Sequence, residues 1–144
     1  MQVAVVGGGE CSPEAEKDAR TLGRLLAEAG YILLCGGKGG VMEAVCAGVR
    51  DAGGHAVGIL PGEKNEGNMH ISISIATGMG QARNVVVVKS ADAVIALPGV
   101  YGTLSEIALA LKMKKPVIGL HSWEVPGMLK VNTPQEAAEM LGRI

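Results

Sequence analysis

Short apolar runs alternate along the chain with longer stretches in which apolar residues recur every three or four positions. The first run, "VAVV" (3 to 6), reads as a buried strand and leads into "GGGECS". Ser12 is suited to cap a helix, with Pro13 at its first position. Ala15, Ala19, Leu22, Leu26 and Ala29 mark one face of that helix, and Gly30 closes it. "YILLC" (31 to 35) is the next strand and runs into "GGKGG". Val41, Val45, Val49 and Ala52 define a second helix, ended by Gly53 and Gly54. "HAVGIL" (55 to 60) is a third strand, followed by the polar loop "PGEKNEGN". "ISISIATG" (71 to 78) predicts a strand or extended segment. Residues 79 to 90 fit a helix around Arg83 or a helix running into a strand, and period alone does not separate the two. "AVIAL" (93 to 97) is a strand, and 102 to 113 a helix with Leu104, Ile107 and Leu111 inward. "PVIGL" (116 to 120) is a further strand, and "TPQEAAEMLGRI" a closing helix capped by Thr133.

Strands that are apolar throughout, separated by helices, predict a mainly parallel sheet covered on both faces, a three-layer α/β/α arrangement. No linker interrupts the pattern, so residues 1 to 144 read as one domain. Ligands of such sheets sit at the carboxyl ends of the strands. Three glycine-rich loops fall at those ends: 7 to 12, 36 to 40 and 98 to 103.

Composition narrows the partners. Glycine, at 22 residues, has no fixed period, which excludes a collagen-like chain. Mean hydropathy of +0.31 excludes disorder. The net charge is -1 and no basic block occurs, so duplex nucleic acid is a poor partner. Aromatic residues make up only 2%, too few for single-strand stacking platforms. Cys11, Cys35 and Cys46 have no metal-ligand spacing and suit reduced thiols, which places the chain in the cytoplasm. The sequence opens directly on a strand, leaving no room for a signal peptide, and no run is long enough to span a membrane.

Glycine loops leading into helix N-termini present free backbone N–H groups and the positive end of a helix dipole, a combination that holds phosphate or carboxylate. One such loop is explained by a tight turn alone; three on one sheet edge point to an anionic, phosphorylated ligand. "GGGECS" carries the spacing of a dinucleotide turn at Gly7 and Gly9, but Ser12 stands at the last glycine and no acidic residue ends the second strand, which argues against NAD. No GxxxxGK[ST] is present, which argues against a P-loop.

Two charged residues stand out. Arg83 suits a bidentate contact with phosphate or carboxylate, or an internal ion pair. Glu106 lies in the first turn of a helix, where the dipole alone accounts for it, or where it acts as a general acid or base. Thr103 caps the helix or touches the ligand. Lys38 is a charge partner for an anion or a solvated loop residue. His55, His70 and His121 do not cluster, so no metal site is expected. Cys11 precedes a helix N-terminus, which can lower a thiol pKa, while Cys35 and Cys46 read as small core residues.

The stretch "RNVVVVKSADAVIALPGVYGTLSEIALALKMKKPV" resembles the Lonely Guy (LOG) superfamily of Rossmann-like proteins, whose signature is PGGxGTxxE after an Arg-containing segment. Pro98, Gly99, Gly102, Thr103 and Glu106 match it, and "GGGE" and "CGGKGGVMEA" match the family's phosphate loops. The resemblance implies a Rossmann-like sheet of six or seven strands. It implies phosphate binding at Gly8, Gly9, Gly36, Gly37, Lys38, Gly39, Gly99, Tyr101, Gly102 and Thr103. The family's catalytic pair falls on Arg83 and Glu106, which in its enzymes release the base from cytokinin riboside 5'-monophosphates or similar nucleotides. Homodimers or homotetramers are implied as well.

Three departures stand against turnover. Asn84 replaces a lysine, Ser105 a glutamate, and Val100 a glycine of the signature. "RN" and "GTLSEIALAL" are more similar to the branch of molybdenum cofactor carrier proteins. That branch implies a carrier or binding protein, with nucleotide or molybdenum cofactor as cargo and no cofactor required by the sequence. A phosphoribohydrolase and a nucleotide sensor are the alternatives.

Overall fold

The computed structural model describes residues 1 to 144 and contains one seven-stranded sheet. In chain order the elements are β1 (Gln2–Val6), α1 (Pro13–Glu28), β2 (Ile32–Cys35), α2 (Val41–Asp51), β3 (Ala56–Leu60), β4 (Ile73–Ala76), α3 (Arg83–Ser90), β5 (Ala93–Ala96), α4 (Tyr101–Lys112), β6 (Val117–Leu120), β7 (Leu129–Val131) and α5 (Pro134–Leu141). Single 3₁₀ turns lie at Lys64–Glu66 and Gly80–Ala82. The strand order is β4-β3-β2-β1-β5-β6-β7, and every pair is parallel. The expected Rossmann-like three-layer α/β/α fold is therefore present, with a sheet that is wholly parallel.

Alternation along β1 shows why both faces are covered. Val3 and Val5 enter the core shared with α1, α2 and α5, while Ala4 and Val6 enter the core under α3 and α4. The capping signals act as read: Ser12 accepts from Ala15 N–H at 3.1 Å, and Thr133 from Glu136 N–H at 3.1 Å. Helices α1 and α2 cross with backbones in contact at Gly23 and Gly48. A Cβ on Gly48 would overlap the Arg20 carbonyl, and one on Gly23 the Val45 carbonyl.

Several expectations need correction. The strand at 71 to 78 shortens to β4, a mostly exposed edge strand. Residues 79 to 90 are a 3₁₀ turn followed by a helix, with no strand. In α4 the buried residues are Thr103, Glu106, Ile107 and Ala110, with Leu104 and Leu111 only half-buried. Ala29 is the exposed C-cap of α1 rather than part of its inner face. Strand β7 had no signal in the sequence, because Leu129 and Lys130 are exposed and three residues carry no period. No helix is long and apolar enough to cross a membrane.

Candidate functional site at the strand-order switch

Strand order reverses between β1, whose neighbour β2 follows it in the chain, and β5, which lies on its other side. Successive connections leave these two strands in opposite directions, so a crevice opens at their carboxyl ends. A cleft of about 270 Å³ occupies that crevice. Its walls are the loop after β1, the turn between β5 and α4, and the start of α3.

Backbone bonds stitch the loops together. Gly8 N–H donates to the Pro98 carbonyl at 2.9 Å, and Val41 N–H donates to the Gly8 carbonyl at 3.0 Å. That spacing requires glycine at some positions for packing alone. A Cβ on Gly99 would overlap Thr103 Oγ1, and one on Gly40 the Gly8 carbonyl. Gly9 and Gly102 differ: both line the cleft, and a Cβ on either meets no protein atom within 4 Å. Their bareness leaves open space in the cleft.

The turn from β5 to α4 leaves a run of donors unused. The N–H groups of Gly99, Val100, Tyr101, Gly102 and Thr103 donate to no acceptor in the chain, as the first turn of a helix dictates. The carbonyls of Leu97, Pro98, Gly99 and Val100, in contrast, all accept hydrogen bonds.

Arg83 opens α3 and lines the cleft opposite this turn. Its Nη1 donates to Oδ1 of buried Asn84, while its Nε is buried with no partner. Gly36 lies against it, so that a Cβ there would come within 2.9 Å of the guanidinium carbon and of Met42 Sδ. Glu106, 7% exposed, lines the same cleft one turn into α4. Burial pushes its carboxyl up to about 7, against an opposing pull from the Arg83 charge.

Of the residues singled out from the sequence, Gly8, Gly9, Gly36, Arg83, Gly102, Thr103 and Glu106 line this cleft. Gly37, Lys38, Gly39, Gly99 and Tyr101 do not. Lys38 turns its carbonyl to Asn68 Nδ2 at 2.9 Å, and Asn68 N–H bonds the Gly37 carbonyl at 2.9 Å. The polar loop 61 to 68 thus packs on "GGKGG" rather than over the cleft. Tyr101 is 76% exposed and stacks on Trp123 with ring centroids 6.5 Å apart. Sequence reasoning missed Met42 and Gln81 as lining residues. Gln81 sits two residues before Arg83, and Met42 in the first turn after "GGKGG", so proximity to those motifs was the available signal.

The thiols are structural in setting. Cys35 and Cys46 are buried with their sulfurs 3.4 Å apart, and Cys35 is pushed well up by its bond to Cys46 and by burial. Cys11 is raised, by burial and by Glu16, where the helix N-terminus had suggested lowering.

A profile of the SLOG cluster4 family matches residues 1–142. A protein of Archaeoglobus fulgidus is 49% identical over 95% of this chain and 91% of its own. The rice cytokinin riboside 5'-monophosphate phosphoribohydrolase LOG is 34% identical over 77% of this chain and 46% of its own, so the chain spans about half the length of that relative. Among solved structures, the molybdenum cofactor binding protein of the phototrophic bacterium Rippkaea orientalis superposes with a TM-score of 0.94 at 37% identity, covering 99% of this chain and 95% of that one. The molybdenum cofactor carrier protein of Chlamydomonas reinhardtii does so with 0.89 at 31%, covering 99% and 96%. With its glycine-walled switch-point cleft and these similarities along nearly its whole length, the chain belongs to the SLOG cluster4 family, in the LOG-like superfamily and on its molybdenum-cofactor-carrier-like branch.

Proposed function

We propose that the switch-point cleft binds a phosphorylated small molecule, a nucleotide or the molybdenum cofactor, and that the chain acts as a carrier or binding protein. The observation that carries this reading is that Val100, Gly102 and Thr103, whose amides have no acceptor in the chain, line one cleft together with Arg83 and bare glycines at 9 and 102. A phosphate there accepts from several N–H groups, sits at the positive end of α4, and meets one guanidinium. Gly8, Gly36 and Thr103 shape the surrounding wall; Gly37, Lys38, Gly39 and Tyr101 act at most from behind it. The Rippkaea orientalis protein, similar over the whole chain, is itself a molybdenum cofactor binding protein.

One observation favours a second reading, nucleoside 5'-monophosphate phosphoribohydrolase activity. Burial raises the Glu106 carboxyl to about 7 despite the Arg83 charge, so near neutral pH a substantial share of it carries a proton in the cleft. In that reaction water adds to the ribose anomeric carbon as the bond to the base breaks. Glu106 gives its proton to the departing base nitrogen and regains one from the water that has bonded to the anomeric carbon, while Arg83 holds the nucleotide. Ribose 5-phosphate and free base leave.

Incubation with adenosine 5'-monophosphate and related nucleotides, followed by chromatography for free base, separates the readings. Base release that vanishes in Glu106→Gln makes the chain a hydrolase. No release, with the melting temperature raised by molybdenum cofactor, fits the carrier; no release with protection by nucleotide alone fits a sensor. Absence of release and of protection by any phosphorylated ligand overturns the proposal.

A further inference from the structure

The loop after β6 touches the β5–α4 turn from behind and has no part in the proposed function so far. It holds Trp123, the only tryptophan of the chain. The indole Nε1 donates to the carbonyls of Gly99 and Val100, at 3.1 Å each. Ser122 Oγ donates to the Leu97 carbonyl at 2.8 Å. His121, which precedes them, takes a left-handed φ of 54°, and its Nε2 lies 3.0 Å from the Asn132 carbonyl oxygen. The backbone turn at 121 thus aims two successive side chains at one short segment, and the Tyr101 ring lies stacked against the indole.

Peptide geometry gives these bonds a consequence on the opposite side. A trans peptide group points its C=O and its N–H in opposite directions. Holding the Gly99 carbonyl therefore fixes where the Val100 N–H points, whereas the Val100 carbonyl is held as well by Leu104 N–H at 3.0 Å, a bond of the helix itself. The Val100 amide has no acceptor in the chain, and Val100 lines the cleft. The indole N–H is the one donor in the chain that holds the Gly99–Val100 peptide group.

We propose that Trp123 is a positioning brace: it grips the Gly99 carbonyl in the β5–α4 turn and so aims the Val100 amide at the ligand's phosphate. The inference rests on the phosphate-binding reading of the cleft. Trp123 does not line the cleft, so it acts through the turn. Preorganised donors bind an anion without first being ordered, and that ordering is what the brace supplies.

Trp123→Phe tests it, because phenylalanine keeps an aromatic ring against Tyr101 while removing the indole N–H donor. Two readouts are needed. The backbone amide order parameter in the ligand-free protein should fall at Val100 from the rigid range of about 0.85 toward 0.6 or below, with β1 and β5 unchanged. Affinity for inorganic phosphate and for adenosine 5'-monophosphate should fall about tenfold, the scale of a lost hydrogen bond plus the ordering it provided. Order parameters and affinities equal to wild type overturn the brace. If wild type binds neither probe, the phosphate reading fails, and the order parameters alone decide the brace: a drop sustains it and no change sinks it. Should Trp123→Phe fail to fold, Trp123→Leu, which also lacks the donor, is read the same way.

Discussion

Glu106 concentrates the chemistry of the site in one carboxyl. Its pKa of about 7 in the fold, against an ordinary 4.5, means that the folded protein binds this proton more tightly than the unfolded chain. The associated stability is fully present below about pH 4.5 and is lost as pH rises through about 7, a span worth roughly 3 kcal/mol. Glu106→Gln should therefore flatten the decline in unfolding free energy between pH 5 and 8, as read by urea titration. The same ionisation places a second negative charge beside a bound phosphate. The ratio of wild-type to Glu106→Gln affinity for one nucleotide should accordingly fall as pH rises above 7; taking the ratio cancels the ligand's own ionisation. Gly102 offers a cleaner probe of the cavity. A side chain there meets no protein atom, and glycine is a poor helix former, so Gly102→Val should keep or raise the melting temperature while abolishing phosphate protection. Retained protection removes the phosphate from the start of α4. At this scale much of the site was legible, because Arg83 and Glu106 are charges embedded in apolar sequence. Asn84 was noticed only as a departure, and nothing in the chain says that it is buried as the acceptor of an Arg83 N–H.

Among elements, the closest fit is that of α1 to α2. Gly48→Ala inserts one methyl into the Arg20 carbonyl across the crossing and should cost about 1 to 3 kcal/mol, despite alanine's better helix propensity. A chemical-denaturation series with an exposed Gly→Ala control measures it, and a stabilised variant would show that the helices separate freely. The alternation of β and α was readable because the buried strands are apolar throughout. Failures came where burial is one-sided. Strand β4 is an edge with exposed Ile73 and Ile75, and the cleft side of α4 is polar, so apolar period pointed to Leu104 and Leu111 instead of Thr103 and Glu106. At 79 to 90 the sequence left open a helix around Arg83 or a helix running into a strand, because the run of β-branched valines suits either, and packing of Val87 and Val88 decides for the helix.

Across the whole molecule the two faces of the sheet are unequally covered. Helices α1, α2 and α5 pack on one face, but only α3 and α4 on the other, where Ile32, Ile73 and Ile75 remain exposed beside Val57 and Ile59. Association of copies, implied by the family resemblance, would cover such a face. Ile73→Asp with Ile75→Asp should then lower the mass seen by light scattering, whereas an unchanged mass places any interface elsewhere. One hydrogen bond described above has a temporal meaning as well. Gly8 and Pro98 are joined across the cleft although 90 residues separate them, so the phosphate cradle has no local precursor. During synthesis the loop after β1 leaves the ribosome as a bare glycine string, and it becomes half of a binding site only when β5 has emerged and docked. Under the proposed reading, ligand binding is therefore a test passed only by a chain extended beyond β5, and fragments ending before β5 should be blind to ligand.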